Sequence, residues 1–77
     1  MMATSIGDYL AAEELPQAEG RKTKRWSVIA KKSGMSLGVI AWYGPWRQYT
    51  FDPEAGTTFN VGCLNDIARF LGVARSR

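Results

Sequence analysis

The chain has 77 residues, one cysteine, no histidine and a net charge of +3. That length suits one small domain, and 45% apolar residues exclude a wholly disordered chain. A lone Cys63 excludes an internal disulfide, and without histidine the usual zinc-ligand spacings are missing, so no metal or other cofactor is expected.

The first element, "SIGDYLAAEEL" at 5–15, reads as a short helix. Ser5 stands where a cap belongs, Asp8 follows three residues later, and Pro16 is the stop. Ile6, Tyr9 and Leu10 would share one face. Residues 1–20 carry Asp8, Glu13, Glu14 and Glu19 and no basic residue. The stretch has neither a basic leader nor a long apolar run, so a secretory signal is not expected.

"PQAEGRKTKR" follows as a linker. It opens a basic strip, Arg21, Lys22, Lys24, Arg25, Lys31 and Lys32, with no acid among residues 21–32. An acidic arm followed by a basic strip suits contact with a polyanion or an acidic protein. The plainer reading is that the strip is solvated, or pairs with the acidic arm. The expected organisation is therefore an acidic helix or arm with a basic linker over 1–24, and one domain over 25–77.

From residue 25 the period becomes two. "RWSVIAK" alternates Trp26, Val28 and Ala30 with Ser27, Ile29 and Lys31, the pattern of a strand with one wetter face. "KSGMS" is a turn, and "LGVIAWY" a second strand apolar on both faces. Gly44-Pro45 breaks it, because proline cannot donate to a ladder. "WRQYTF" reads as a third strand, "DPEAG" as a turn and "TTFNV" as a short fourth strand. The longest uncharged stretch, 33–46, is interrupted by Gly and Pro and is not expected to span a membrane.

Over "NVGCLNDIARFLGVA" the spacing becomes helical. Leu64, Ile67, Ala68 and Leu71 fall at i, i+3, i+4 and i+7, widened by Cys63 and Phe70, with Asn60 as cap and Gly72 as stop. The fold class is thus α+β: a three- to four-stranded antiparallel meander with a C-terminal helix packed on one face, plus a short N-terminal helix or arm. Trp26, Val28, Val39 and Phe59 are the expected partners of the helix stripe.

One helix covers one sheet face, yet alternation sends Trp42, Tyr43, Trp46, Tyr49 and Phe51 to both. Core and cross-strand packing accounts for most of these rings. The rings left outside are expected to be Trp46, or Tyr49 with Arg47. Together with the basic strip they suit base stacking or a protein anchor. The catalytic case is poor. Asp52 and Glu54 belong to a turn, Asp66 suits a helix N-terminus, Cys63 reads as a packed thiol, and no Gly-rich phosphate loop occurs. No enzyme is expected.

The run 37–71 resembles a group of short proteins encoded in phages and prophages. In that group a G-x-I-x-W-Y-x-x-W-R-x-Y-x-F-x-P stretch precedes T-x-F and a C-L-x-x-I-x-x-F helix. Gly38, Ile40, Trp42, Tyr43, Trp46, Arg47, Tyr49, Phe51 and Pro53 match the first part. Thr57, Phe59, Cys63, Leu64, Ile67 and Phe70 match the second. The resemblance covers roughly residues 26–71 and leaves out 1–24.

It implies a small binding protein working in the cytoplasm of a bacterial host. Its expected partner is a host protein or nucleoprotein complex, or nucleic acid itself. An anti-CRISPR inhibitor blocking DNA access is one form of this. A single-strand-binding accessory protein and a structural or dimerising phage component are the alternatives. A monomer or a homodimer is expected, with no membrane involved.

Overall fold

In the computed structural model, residues 3–16, 20 and 23–75 are described. Five strands form one sheet in chain order: β1 Ala3–Ser5, β2 Leu10–Glu14, β3 Trp26–Ala30, β4 Ser36–Tyr43 and β5 Gln48–Pro53. Every neighbouring pair is antiparallel, so the sheet is a meander. One helix, α1 (Val61–Arg75), packs across it. The class is α+β as expected, with five strands rather than three or four.

The difference lies at the N-terminus. Residues 5–15 are not a helix but a hairpin, and Ser5 pairs with Ala11 while Ala11–Glu14 pair onward with Trp26–Ile29. Ile6 and Leu10 are buried, as the helical reading also required, but Tyr9 sits in the turn and is 71% exposed. Ser5 caps nothing helical: its hydroxyl donates to the Gly7 carbonyl at 3.3 Å and accepts from Lys31 Nζ at 2.6 Å. The acidic segment therefore supplies two strands of the same sheet that holds residues 26–53.

Strand alternation explains the core. Leu10, Ala12, Trp26, Val28 and Ile40 face the helix and meet Ile67, Phe70 and Ala74. Val28 and Ile40 are fully enclosed. Trp26 is the hub, meeting Phe70 at 5.2 Å and Tyr49 at 5.7 Å in edge-to-face contacts that add about 0.5–1.5 kcal/mol each beyond area burial. Phe59 packs on Phe51 at 5.4 Å, as expected of a helix-side residue. Val39 does not join this layer. Its register partner is Ser27, on the face without a helix.

Gly38 lies opposite Val28 and Pro53. A Cβ there would stand 2.6 Å from both the Asp52 carbonyl oxygen and the Phe51 ring, so the strands approach too closely for any side chain.

Two expected elements take another form. The segment "TTFNV" is not a strand; Thr57–Asn60 run irregularly into α1. Gly72 does not stop α1, which continues to Arg75. The cap is as expected: Asn60 Oδ1 accepts the Cys63 N–H at 2.8 Å, and its carbonyl accepts the Leu64 N–H at 3.0 Å.

Candidate binding surface

The β4–β5 connection is built by "YGPWRQ". Pro45 fixes φ at the start of one 3-10 turn, Gly44–Trp46, which closes through the Arg47 N–H donating to the Gly44 carbonyl at 3.0 Å. Arg47 takes the left-handed conformation, φ 52° and ψ 46°. Trp46 and Arg47 thus belong to the turn, and β5 begins at Gln48 rather than at Trp46.

That turn decides which rings are outside. Trp46 is 66% exposed, Tyr43 44% and Trp42 41%, whereas Tyr49 is half-buried between Trp26 and Trp42. Tyr43 and Trp46 meet edge to face at 5.1 Å. They close one end of a shallow groove of about 400 Å³ over Val39, Ala41 and Thr50, with Asp52 at its other end. Of the expected set, Trp46 and Arg47 are exposed and Tyr49 is not.

The basic strip does not form one patch. Lys24 and Arg25 precede β3, while Lys31 and Lys32 follow it. A strand rises ~3.3 Å per residue, so β3 holds the two pairs about 20 Å apart, at opposite ends of the sheet. Lys24 and Arg25 lie at the end that carries the Gly44–Arg47 turn; Lys31 and Lys32 lie with Asp8 and Tyr9, at the other. Arg21 and Lys22 lie outside the described residues.

Lys24 Nζ stands 4.0 Å from Glu14, which realises the pairing of strip and acidic segment. Both side chains are largely solvated, so that pair contributes little. Arg25 donates to the Pro16 carbonyl at 3.5 Å, while its Nε finds no partner among the described residues.

Besides Trp42, two contributors were not anticipated. Helix α1 ends beside the turn, where Arg75 lines a groove with Trp46, Gln48 and Leu71. Tyr43 joins the exposed rings because it is the last residue before the Gly44-Pro45 break, beyond the reach of the core. The sequence signal was available in both cases: an arginine in the last helical turn, and an aromatic abutting a turn dipeptide. One end of the sheet thus gathers Trp42, Tyr43, Trp46, Lys24, Arg25, Arg47 and Arg75.

No group of three or more potential metal ligands occurs among the described residues, nor is any helix there long and apolar enough to cross a membrane. Cys63 is half-buried against the core.

A small α+β meander presenting an aromatic, cationic end is the class that the fold and surface define. No family model and no solved structure matches the chain significantly. The chain is 36% identical over 52 residues to an uncharacterized 9.3 kDa protein of Acholeplasma phage L2, spanning 68% of this chain and 67% of that one. It belongs to the same family as that phage protein.

Proposed function

We propose that this chain is a non-catalytic binding protein that takes single-stranded nucleic acid at the β4–β5 end of its sheet, alone or within a host complex that handles nucleic acid. The observation that carries this reading is that Trp42, Tyr43 and Trp46 lie at the same end of the sheet as Lys24, Arg25, Arg47 and Arg75. Rings that present a face stack any base, worth about 1–3 kcal/mol each, and the cations neutralise phosphates with release of counterions. An anti-CRISPR inhibitor, occupying the nucleic-acid path of an effector complex, is a finer form of the same activity.

The test is a titration of a labelled single-stranded oligonucleotide at rising salt. Binding should weaken steeply with salt and quench the emission of the exposed tryptophans. Lys24→Ala with Arg25→Ala should flatten the salt slope by ~0.7 for each phosphate no longer neutralised. Absence of binding at low salt to both single- and double-stranded probes overturns direct recognition. Inhibition of a purified CRISPR effector that survives Tyr43→Ala and Trp46→Ala would remove this surface from the finer form.

A further inference from the structure

The two edges of the sheet are unlike. β1 is only three residues long, a short edge of the kind that resists pairing. β5 is six residues long, and no strand lies beyond it among the described residues. Its hydrogen-bonding direction follows from one contact. The Glu54 N–H donates to the Leu37 carbonyl at 2.9 Å, so residues 37 and 54 are a hydrogen-bonded pair of the antiparallel ladder. Alternation then turns the backbone groups of Gln48, Thr50 and Asp52 toward β4. Those of Tyr49 and Phe51 turn outward, as does the proline nitrogen of Pro53, which has no hydrogen to offer.

The helix beside this edge is only partly covered: Leu64 and Ala68 are exposed, and Leu71 is half-buried against the core. Leu64, Ala68 and Leu71, at i, i+4 and i+7 of α1, line a groove of about 660 Å³ together with Tyr49, Phe51 and Trp46. Leu64 is 51% exposed. These residues form a second apolar stripe, next to the one that packs on the sheet through Ile67, Phe70 and Ala74. An open strand edge and a partly exposed helix stripe thus run side by side.

We infer that β5 is a homodimer interface, on which a second copy of this chain adds its own β5 antiparallel about a two-fold axis through Thr50. Charge selects this occupant. Arg47 lies just before β5, whereas Asp52 and Glu54 lie at its other end, so the edge is cationic at one end and anionic at the other. Antiparallel self-pairing sets Arg47 against Asp52 and Glu54 of the second copy, twice. The same register puts Gln48 opposite Asp52 of the second copy and Thr50 opposite its equivalent, cross-strand pairs that favour association. Tyr49 and Phe51 exchange their outward backbone hydrogen bonds, and the two Leu64–Ala68–Leu71 stripes close over the joined strands. The product is a continuous ten-stranded sheet with two helices on one face, an isologous assembly without further growth at that edge.

The test combines mass and hydrogen exchange on the full chain. Sedimentation should give twice the 8.5 kDa chain mass. The Tyr49 and Phe51 amides should be protected in the dimer and lose that protection on dilution, while the Gln48, Thr50 and Asp52 amides stay protected throughout. Leu64→Asp should yield a folded monomer. Asp52→Arg should also dissociate the pair, and adding Arg47→Glu to it should restore the dimer mass. A single-chain mass at every concentration, with Tyr49 and Phe51 exchanging as freely as turn amides, overturns the inference. So does protection of those two amides that appears only when a different protein is added. Oligonucleotide binding is read separately through Lys24, Arg25 and Tyr43, so either reading can fail without the other.

Discussion

Arg47 allows backbone strain and side-chain function to be measured apart. It is the one non-glycine residue at positive φ among those described. A residue with a Cβ pays about 1–2 kcal/mol for the left-handed region. Glycine avoids that cost but loses about 0.5–1 kcal/mol more chain entropy on folding. Arg47→Gly should therefore stabilise the fold by about 0.5–1 kcal/mol, which for a domain of this size raises Tm by about 2–8 °C. Arg47→Ala keeps the Cβ and removes the same guanidinium, so its Tm should stay at or below that of the parent. Both variants should lose nucleic-acid affinity equally, with the salt slope reduced by the same amount. Thermal unfolding by circular dichroism, paired with the oligonucleotide titration, reads both quantities. A glycine variant no more stable than the alanine variant refutes the strain argument. An unchanged affinity in both refutes a role for Arg47 in nucleic-acid binding, and would leave pairing with a second copy as the reason for an arginine at a position that glycine fits better.

Other consequences can be checked by the same unfolding measurement. Gly38→Ala forces a methyl against the Asp52 carbonyl and the Phe51 ring, and should destabilise by about 1–3 kcal/mol as an overpacked site. Ile40→Ala empties a fully enclosed position beside Trp26 and should cost about 2–5 kcal/mol. Asn60→Ala removes the acceptor for the Cys63 N–H and should cost about 1 kcal/mol, with hydrogen exchange quickening first in the opening turn of α1.

Strands β3 and β4 and helix α1 could be read from the sequence because local pattern and tertiary need largely agree there, although Leu64 and Ala68 of the expected helix stripe are exposed. Trp26, Val28 and Ala30 alternate, and of the expected helix stripe Ile67 and Phe70 are buried, joined by Ala74, with Asn60 ahead of them as cap. At the N-terminus they disagree. "DYLAAEEL" is rich in good helix formers, and Ile6, Tyr9 and Leu10 have helical spacing, yet Leu10–Glu14 take the open edge of β3. Ala11 and Ala12, on opposite faces of the strand, are both buried there. The turn signal that would have betrayed the hairpin is Gly7-Asp8. A Cβ at Gly7 would collide with the Asp66 carboxylate of α1, a proximity invisible without the fold. The aromatic excess was evident as a pattern and Trp46 is outside as one of the expected alternatives, but in a turn rather than a strand, while Tyr49 is not exposed. Pro45 opens a 3-10 turn that takes Trp46 out of β5, and Tyr49 turns inward to Trp26. The basic run looked continuous only along the chain. Folding β3 between Arg25 and Lys31 separates its halves, while the end of α1 brings Arg75 beside Trp46.

Both proposed activities draw on the same guanidinium. In the paired state Arg47 faces Asp52 and Glu54 of a second copy; on a nucleic acid it faces a phosphate. One side chain cannot satisfy both in full, so the two equilibria are linked and each must weaken the other by the same factor. A short oligonucleotide should accordingly shift the protein from two chains toward one. Raising the protein concentration should in turn reduce apparent affinity for the strand. Sedimentation of the protein with a labelled oligonucleotide reads both effects. The linkage should disappear in Leu64→Asp, which removes pairing without touching the aromatic end. A strand that instead raises the mass to two chains, with Tyr49 and Phe51 still protected, would break the linkage. Arg47 would then be free in the dimer, and the carboxylates of Asp52 and Glu54 would have to find their cations elsewhere.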